Sequence, residues 1–303
     1  MDDTTEYESI WQTLGLGETL GGDERDGFSL GETIAPSATN WQETVRELLP
    51  VLSVDDITAA GKLDATAQFR IRQVLGQGGM GVVHLATQRA LARDVALKTT
   101  LQGERDSPLQ EALLQEARVM GLVEHPNVVP VHIIGRDSED RPLIVMKRVE
   151  GRSWEDLLTS STAGDRLAGP AGEESLDYHL DVLERVALAL AFAHSRGILH
   201  RDVKPANVMI GSFGETYLLD WGLAVGMPEF DLPVVPKLEN ATTIVGTPAY
   251  IAPEMTTGQP DGRGPHTDVD LLGAVLYGGV TGKPPHRGSR LFDVLACASE
   301  GRP

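Results

Sequence analysis

Residues 200–207 read His-Arg-Asp-Val-Lys-Pro-Ala-Asn, and Asp220-Trp221-Gly222 follows thirteen positions after Asn207. The two runs hold a carboxylate, an ammonium group and an amide close together, with a second carboxylate shortly afterwards. Phosphoryl transfer needs such groups: a base near the attacking hydroxyl, a cation near the migrating phosphate and oxygen ligands for magnesium. These residues therefore predict a phosphoryl-transfer site, which the remaining sequence has to support.

A glycine-rich run lies between two strand-like stretches. Residues 69–74 alternate as in a β-strand, residues 76–81 read Gly-Gln-Gly-Gly-Met-Gly, and residues 82–86 resume the strand pattern. Glycines let backbone N–H groups approach phosphates without a Cβ in the way. A similar run opens dinucleotide-binding folds, but there it lies between a strand and a helix. The strand pattern on both sides favours a β-hairpin with a phosphate-binding tip.

The motifs together resemble those of a known family. A strand-like run ending in a lysine, Asp94-Val95-Ala96-Leu97-Lys98, follows the hairpin, and Ala252-Pro253-Glu254 comes after the two runs quoted first. In this order they resemble the eukaryotic-like (bacterial Hanks-type) serine/threonine protein kinases. Taken singly, an Asp or Asn in a loop most often caps or turns the chain. The complete set, over about residues 69–303, makes chance assembly a poor explanation.

The resemblance implies an α+β fold of two lobes, with a β-rich N-lobe and a mainly helical C-lobe. We place the kinase domain at residues 68–303, with the N-lobe at about 68–146, the hinge at 147–150 and the C-lobe at 151–303. This C-lobe ends before the last helices expected of the family, and the arginine that normally pairs with Glu254 has no candidate. We therefore expect either a fragment of a longer protein or a truncated, incomplete C-lobe.

The resemblance also assigns roles to the polar residues of the site. Asp202 would accept or orient the proton of the substrate hydroxyl, and Asn207 and Asp220 would hold the Mg²⁺ ions that bridge the phosphates of ATP. Lys204, two residues after Asp202, is typical of serine/threonine kinases. Together with Lys98, these residues form the catalytic set that the resemblance implies.

The lysine of the third strand needs an acidic partner on the helix predicted at about residues 107–122. Glu116 lies nine residues before His125-Pro126-Asn127, the turn that follows this helix in the family. The resemblance pairs Lys98 with Glu116. Glu111 is the nearest rival, although it lies more than a turn earlier.

The resemblance further predicts which residues surround the nucleotide. Met146 falls at the gatekeeper position and residues 147–149 at the hinge, whose backbone groups would hold adenine. Lys147 and Arg148 depart from the acidic or aromatic residues common there, a change that backbone contacts tolerate. The residues expected to bind ATP are Leu75, Gly76, Gln77, Gly78, Gly79, Met80, Gly81, Val83, Ala96, Lys98, Met146, Lys147, Val149 and Met209.

Residues 220–254 form the implied activation segment. Arg201, next to Asp202, supplies a cation that a phosphorylated residue of this segment could engage. Thr242 and Thr243 are the candidates for that phosphorylation. Thr247 instead resembles the fixed threonine that contacts Asp202 and aligns the substrate.

Two further features extend the resemblance, and a third departs from it. Met120, His200 and Trp221 would stack in the hydrophobic column that joins the lobes. Asp268 lies where a buried helix carries the aspartate that fixes the catalytic loop. Asp270 departs from the aromatic residue usual at its position, so we expect it to be either solvent-facing or partnered.

The charge of the chain excludes one class of partner and locates its acidity. The net charge is −18, and residues 1–64 hold 14 acidic against 3 basic residues. Nucleic acid is therefore not expected as a partner, since its backbone is bound through excess Lys and Arg. Cys297 is the single cysteine, which precludes an intrachain disulfide and favours a cytoplasmic location. The sequence has neither an apolar run of membrane-spanning length nor a signal peptide.

Residues 1–67 form an acidic segment that we expect to be largely disordered, because few of its residues can bury apolar surface. A short helix is possible at residues 41–49. The motif Leu-Gly-Glu-Thr occurs twice, ending at Thr19 and Thr33. The repeat is either chance in a biased segment or a pair of docking sites for phosphothreonine-binding domains.

Two functions remain after this comparison. The first is an ATP- and Mg²⁺-dependent protein serine/threonine kinase of bacterial signalling, which would phosphorylate proteins and itself. The second is a nucleotide-binding pseudokinase or scaffold that recruits partners through the acidic segment. The intact set of Lys98, Asp202, Asn207 and Asp220 favours the first. A metabolite kinase is less favoured, because Thr247 and its neighbours are suited to receive a peptide.

Overall fold

A β-sheet lobe precedes a helical lobe along the chain. We describe a computed structural model, in which residues 48–56, 66–78, 81–101, 108–160 and 176–301 are placed well enough to describe. The strands are β1 (Val54–Asp56), β2 (Phe69–Gly78), β3 (Gly81–Gln88), β4 (Arg93–Thr99), β5 (Val131–Arg136), β6 (Pro142–Lys147), β7 (Gly151–Ser153), β8 (Ile198–Leu199), β9 (Val208–Gly211), β10 (Thr216–Leu218) and β11 (Val225–Gly226). The α-helices are α1 (Pro108–Leu122), α2 (Trp154–Ser160), α3 (Leu176–Ser195), α4 (Pro265–Thr281) and α5 (Leu291–Ser299).

The N-lobe sheet has the strand order β1-β2-β3-β4-β6-β5. The predicted glycine hairpin is the antiparallel pair β2 and β3, in which Gly78 lies opposite Gly81. Gly81 has a φ of +145°, and a Cβ there would lie 2.2 Å from the carbonyl oxygen of Thr99. Only glycine therefore fits where β3 begins, because no side chain can be accommodated against β4.

A segment before the predicted kinase domain completes this sheet. Strand β1 pairs in parallel with β2, and just before it Leu52 donates its backbone N–H to the carbonyl of Arg136 in β5 at 2.7 Å. Leu52 is buried with Phe69 and Leu97 on the outer face of the sheet. A Cβ on Gly135 would lie 2.6 Å from the Leu52 side chain, so glycine is required there. The sequence pattern predicts five strands for this lobe, at about residues 69–74, 82–86, 94–98, 128–134 and 143–146, and β1 is an addition to them.

The C-lobe is built around α3 and α4. Apolar residues recur along α3 at helical spacing, and Gly197, with a φ of +77°, follows the helix where it ends. Behind this helix, the short pairs β8 with β11 and β9 with β10 hold the loops that carry residues 200–207 and 220–222. Trp221 and Met120 belong to one continuous apolar core together with residues of both helices. This is the two-lobed α+β arrangement that the resemblance predicts.

The activation segment contains a stretch, residues 228–240, that packs against the C-lobe. Val235 and Leu238 are buried, and the N–H of Gly226 donates to the carbonyl of Pro236 at 2.8 Å. A Cβ on Gly197 would lie 2.2 Å from the ring of Phe230, so this ring lies directly on the turn after α3. The base of the segment is thereby fixed to the lobe before it reaches Thr242.

Several predictions fall on residues outside the described ranges. They concern Thr19, Thr33, Gly79, Met80 and most of the possible helix at 41–49. In the described part of the chain, none of the helices combines the length and apolar character needed to cross a bilayer.

Candidate active site

Three side chains form a closed hydrogen-bonded triangle at the catalytic loop. Lys204 Nζ lies 2.7 Å from Asp202 Oδ2 and donates to Thr247 Oγ1 at 2.8 Å. The Thr247 hydroxyl in turn donates to Asp202 Oδ1 at 2.8 Å. Thr247 comes from the activation segment, so the triangle exists only when that segment lies against the catalytic loop. The structure thus brings together three residues that the sequence assigned to catalysis and substrate alignment.

Asn207 and Asp220 supply oxygen atoms beside this triangle. The amide nitrogen of Asn207 donates to the backbone carbonyl of Asp202 at 2.9 Å and to Asp202 Oδ2 at 3.1 Å, which leaves its amide oxygen for a cation. The N–H of Leu219 donates to the carbonyl of Asn207 at 2.8 Å and so holds the two loops together. Asp220 has a φ of 58°, in the left-handed region. A carboxylate and an amide oxygen are ligands that suit a hard cation such as Mg²⁺.

These two residues can provide only part of a cation's coordination shell. Within the described ranges, no cluster of three or more His, Cys, Asp or Glu side chains is arranged to bind a metal ion. Magnesium ordinarily keeps several waters and binds through one or two carboxylates plus substrate phosphates. The residues present therefore fit a cation that arrives with a nucleotide.

Lys98 and Glu116 form a buried ion pair between β4 and α1. The Lys98 ammonium lies 2.7 Å and 2.6 Å from the two carboxylate oxygens of Glu116. Burial raises the pKa of Glu116, whereas the charge of Lys98 opposes that rise. Glu111, the rival partner, instead accepts a hydrogen bond from Arg118 at 3.1 Å. Helix α1 therefore lies close enough to the sheet for Glu116 to fix the ammonium group of Lys98.

The catalytic loop is held from below by Asp268, which is fully buried. Its two oxygens accept the backbone N–H groups of His200 and Arg201, each at 2.8 Å. His194 Nε2 lies 2.8 Å from the same carboxylate. Burial alone would raise the pKa of Asp268, but the hydrogen bonds from His194 and the two amides outweigh burial and lower it. Asp268 thus remains a carboxylate that fixes the backbone immediately before Asp202.

His194 is a functional residue that the sequence analysis missed. A histidine in the last turn of a helix is commonly a solvent-facing end group, and nothing local distinguishes this one. It meets Asp268 across 74 positions of sequence, a contact that only the packing of α3 on α4 creates.

The predicted hydrophobic column is assembled behind the site. The rings of His200 and Trp221 meet edge to face, with centroids 4.6 Å apart. Trp221 is completely buried, and Met120 lies in the same apolar core. Tryptophan in place of the usual phenylalanine is therefore accommodated between the lobes.

The residues predicted to bind the nucleotide line the strands on either side of the hinge. In the sheet, Val83 pairs with Lys98, and Ala96 pairs with Met146. Met209 lies on β9, opposite Tyr217. The remaining predicted members within the described ranges are Leu75, Gly76, Gln77, Gly78 and Gly81 in the hairpin, and Lys147 and Val149 at the hinge.

The two unexpected cations of the hinge are both partnered. Lys147 donates to the hydroxyl of Tyr217, and its ammonium lies 4.7 Å from the centre of that ring. Arg148 donates to Asp94 at 2.9 Å and lies 2.9 Å from Glu150. Consecutive side chains of the hinge therefore contact opposite lobes.

Two buried arginines lie beneath the activation segment. Arg201 donates through Nε to the carbonyl of Leu223, and Arg263 donates to the carbonyl of Ala241, both at 2.8 Å. Among the described residues, one terminal nitrogen of Arg201 and two nitrogens of Arg263 have no hydrogen-bond acceptor. Burial and then the charge of Arg263 lower the pKa of Arg201 to about 10. The next two residues after Ala241 are the exposed Thr242 and Thr243.

The helix that carries Asp268 also shows how the unusual residues around it are placed. Asp270 is exposed and makes no ion pair with any residue of the described ranges, although partial burial raises its pKa. Glu254, for which the sequence offers no arginine, accepts a hydrogen bond from the hydroxyl of Thr267 at 2.5 Å, lies 3.6 Å from His266 Nε2, and by its charge opposes the lowering of the pKa of Arg263 by burial. The Ala-Pro-Glu triplet is therefore tied to the start of α4 by a neutral partner.

Comparison with known proteins agrees with this geometry. The family model described as "Protein kinase domain" matches residues 69–296. The chain is 36% identical over 236 residues to the serine/threonine-protein kinase PknD of Chlamydia felis, an alignment that covers 74% of this chain and 25% of the relative. Similar matches are found to PknD of Chlamydia pneumoniae, at 36% over 232 residues, and of Chlamydia abortus, at 35% over 235 residues. In both, the alignment covers 73% of this chain and 25% of the relative. The chain thus spans about a quarter of the length of these relatives.

Proposed function

The chain belongs to the protein kinase family, and from this premise we propose that it transfers the γ-phosphate of ATP to serine or threonine side chains of proteins. The activity includes phosphorylation of its own chain, and the setting is bacterial signalling. The observation that carries the proposal is the triangle of Asp202, Lys204 and Thr247. It joins a carboxylate, an ammonium group and a hydroxyl, which supports the proposed roles of base, cation and substrate-aligning residue.

In the proposed reaction the oxygen of a substrate hydroxyl attacks the γ-phosphorus, and the bond from that phosphorus to the leaving ADP oxygen breaks. The hydroxyl proton passes to the Asp202 carboxylate, whose oxygens are oriented by Lys204 and Thr247. Asp202 is buried, so few waters compete for that proton. Such positioned proton transfer contributes about 10²- to 10⁴-fold in rate.

The positive charges of the site stabilise the phosphates. Protein kinases use ATP and a divalent cation, and we propose Mg²⁺ held by Asn207 and Asp220. The bound cation neutralises charge that develops on the phosphate oxygens. Lys98, fixed by Glu116, is placed to contact the phosphates from the sheet side, and Lys204 from the catalytic loop. Glycines 76, 78 and 81 leave the backbone of the hairpin free to approach them.

A radioactive transfer assay separates a kinase from a nucleotide-binding scaffold. With labelled ATP and Mg²⁺, the kinase transfers phosphate to serine or threonine of a generic basic protein, whereas a scaffold binds nucleotide without transferring it. The same assay without divalent cation is the control, and transfer should then disappear. Nucleotide binding with no transfer to any Ser or Thr would overturn the proposed activity.

We propose that phosphorylation of Thr242 or Thr243 regulates the enzyme. Arg201 and Arg263 are buried cations with unfilled donors, and Arg263 bonds to the carbonyl of Ala241, the residue before these threonines. Buried guanidinium groups are costly unless an anion compensates them, and a phosphate supplies several acceptor oxygens. Arg263 donates a hydrogen bond to the carbonyl of Ala241 and so fixes the chain next to Thr242. From there, a phosphate on either threonine would reach the two arginines.

Incubation with Mg-ATP should therefore place phosphate on Thr242 or Thr243. Peptide mass spectrometry locates the phosphate, and the doubly substituted Thr242→Val, Thr243→Val chain should lose about tenfold or more in activity. Thr257→Val, at an exposed threonine outside this pair, is the matched control. A fully active wild-type enzyme with neither threonine phosphorylated would exclude the switch.

The remaining assignments are likewise proposals. We propose a kinase domain at residues 68–303 and a cytoplasmic location, the latter from the absence of any cysteine pair. Substrates are proteins. The acidic segment of residues 1–67 would recruit phosphothreonine-binding domains through phosphorylated Thr19 and Thr33.

Synthetic peptides test the recruitment. Peptides spanning the two Leu-Gly-Glu-Thr motifs should bind a phosphothreonine-binding domain at least tenfold more tightly when phosphorylated at Thr19 or Thr33. Calorimetry on the phosphorylated and unphosphorylated pair measures this ratio. Equal, weak binding of both forms would favour the alternative that the repeat is chance.

A further inference from the structure

The hinge between the lobes is held by side chains on both of its sides. Lys147 reaches Tyr217 on β10, next to the strand that continues from the catalytic loop. Arg148 reaches Asp94 on β4, the strand that carries Ala96 and Lys98. We refer to Asp94, Arg148, Lys147 and Tyr217 as the hinge contacts.

Asp94, on β4, also bonds to side chains of strands β2 and β3. Its carboxylate accepts two hydrogen bonds from Arg72 on β2, at 3.1 Å and 3.2 Å, and one from the hydroxyl of Thr87 on β3 at 3.2 Å. The bond from Arg148 is the fourth, at 2.9 Å. One carboxylate therefore links three adjacent strands to the hinge. An isolated ion pair this exposed would contribute little, whereas a shared network of several charge-assisted bonds contributes more.

On the other side, Tyr217 provides a buried anchor. Its side chain is largely inaccessible, and it packs in the apolar core of the C-lobe. The Lys147 ammonium has both the Tyr217 hydroxyl and the face of its ring as partners, and Glu215 lies 3.9 Å away. A cation over an aromatic ring is attracted by the negative face of the ring. The contact thus joins Lys147 to the core of the C-lobe.

The backbone between these contacts is where adenine is proposed to bind. The N–H of Lys147 is already used, because it donates to the carbonyl of Pro130 at 3.0 Å. The backbone N–H and C=O groups of the hinge after Lys147 must be held in position for a purine to form hydrogen bonds with them. A segment that must be ordered on binding loses affinity, and one that is ordered beforehand does not.

We infer that Asp94 and Tyr217 are positioning residues for nucleotide binding, which act through Arg148 and Lys147 to fix the hinge backbone from both lobes. The inference rests on the proposed nucleotide site. It accounts for the two cations by which this hinge departs from the family pattern. Neither Asp94 nor Tyr217 needs to touch the nucleotide for this effect.

Substitution of Arg148 tests the inference with Mg-ADP as the probe. Arg148→Met keeps the aliphatic stem but removes the bond to Asp94 and the ion pair with Glu150, and the Kd for Mg-ADP measured by calorimetry should rise about three- to tenfold. Arg148→Lys retains a cation and should restore most of the affinity. Arg141→Met is the matched control, because it removes an arginine–aspartate pair at the opposite end of β6 from the hinge, and its Kd should stay within about twofold of wild type.

Kinetics provide the second measurement on the same variants. The KM for ATP should rise with Arg148→Met while kcat changes by less than about twofold, since the catalytic loop is untouched. Tyr217→Phe should shift KM in the same direction. Equal Kd values for wild type, Arg148→Met and Tyr217→Phe, or an equal loss in Arg141→Met, would overturn the inference and leave the proposed kinase activity standing. A wild-type chain that binds no Mg-ADP would overturn both.

Discussion

Asp202→Asn should lower kcat by about 10²- to 10⁴-fold while nucleotide affinity stays within about twofold of wild type. The substitution preserves the size of the side chain, and an amide oxygen can still accept from Thr247 or Lys204. It removes the ability to accept a proton, which is the step that the geometry assigns to this residue. The measurement is single-turnover phosphate transfer, with Mg-ADP affinity determined in parallel.

Asp181→Asn is the control for this experiment, because Asp181 is an exposed aspartate of α3 far along the chain from the site. It should leave kcat and affinity unchanged. Unaltered transfer by Asp202→Asn would remove the proposed mechanism. A loss of Mg-ADP binding in step with activity would show instead that Asp202 organises the nucleotide site rather than moving a proton.

The second large effect is expected at Asp268, whose loss should damage both folding and catalysis. Asn in this place keeps one acceptor oxygen, but turns N–H groups toward the amides of His200 or Arg201 or toward His194. Disrupting such a buried, multiply bonded charge costs about 3 to 5 kcal/mol. For a domain of this size that corresponds to a fall in Tm of about 6 to 20 °C. Displacement of the catalytic loop should also lower kcat by about 10²-fold at a temperature where the variant is folded.

Asp270→Asn is the matched control, two residues away on the same helix. Asp270 is exposed and has no ion-pair partner among the described residues, so the same chemical change should shift Tm by no more than about 2 °C. Thermal unfolding of the two variants side by side, followed by kinetics well below both transitions, separates the two roles of Asp268. If Asp268→Asn and the wild type have the same Tm, the bonds from Asp268 to the catalytic loop contribute little to the stability of the fold.

The positions of the polar residues at the candidate site could be predicted because each belongs to a short motif with a fixed local geometry, whereas their catalytic roles remain proposals. The loop of residues 200–207 and the triplet at 220–222 place Asp202, Asn207 and Asp220 within a few residues of turns that the chain itself defines. Lys98 is equally marked by the strand that it ends. The resemblance pairs it with Glu116 rather than Glu111, and the structure has that pair.

What the sequence does not predict depends on contacts between distant elements. Nothing in the sequence around Arg263 marks it as a neighbour of Arg201. The two arginines come together because the loop before α4 turns back to Ala241. His194 is hidden for the same reason. The hinge cations look like departures from the family until Asp94 and Tyr217, which lie far from them in sequence, are seen as their partners.

Residues 50–56 cross the outer face of the N-lobe and are part of its fold. The family match starts at residue 69, yet the chain before it bonds to both β5 and β2, at opposite margins of the sheet. Unpaired margins of a sheet invite association with other chains, and closing them removes that hazard. A protein trimmed to the family boundary would bare Phe69, Ile71 and Leu97 where Leu52 now covers them. If such a shortened enzyme self-associates, the cause would therefore be the loss of residues 50–56 and not a native oligomer.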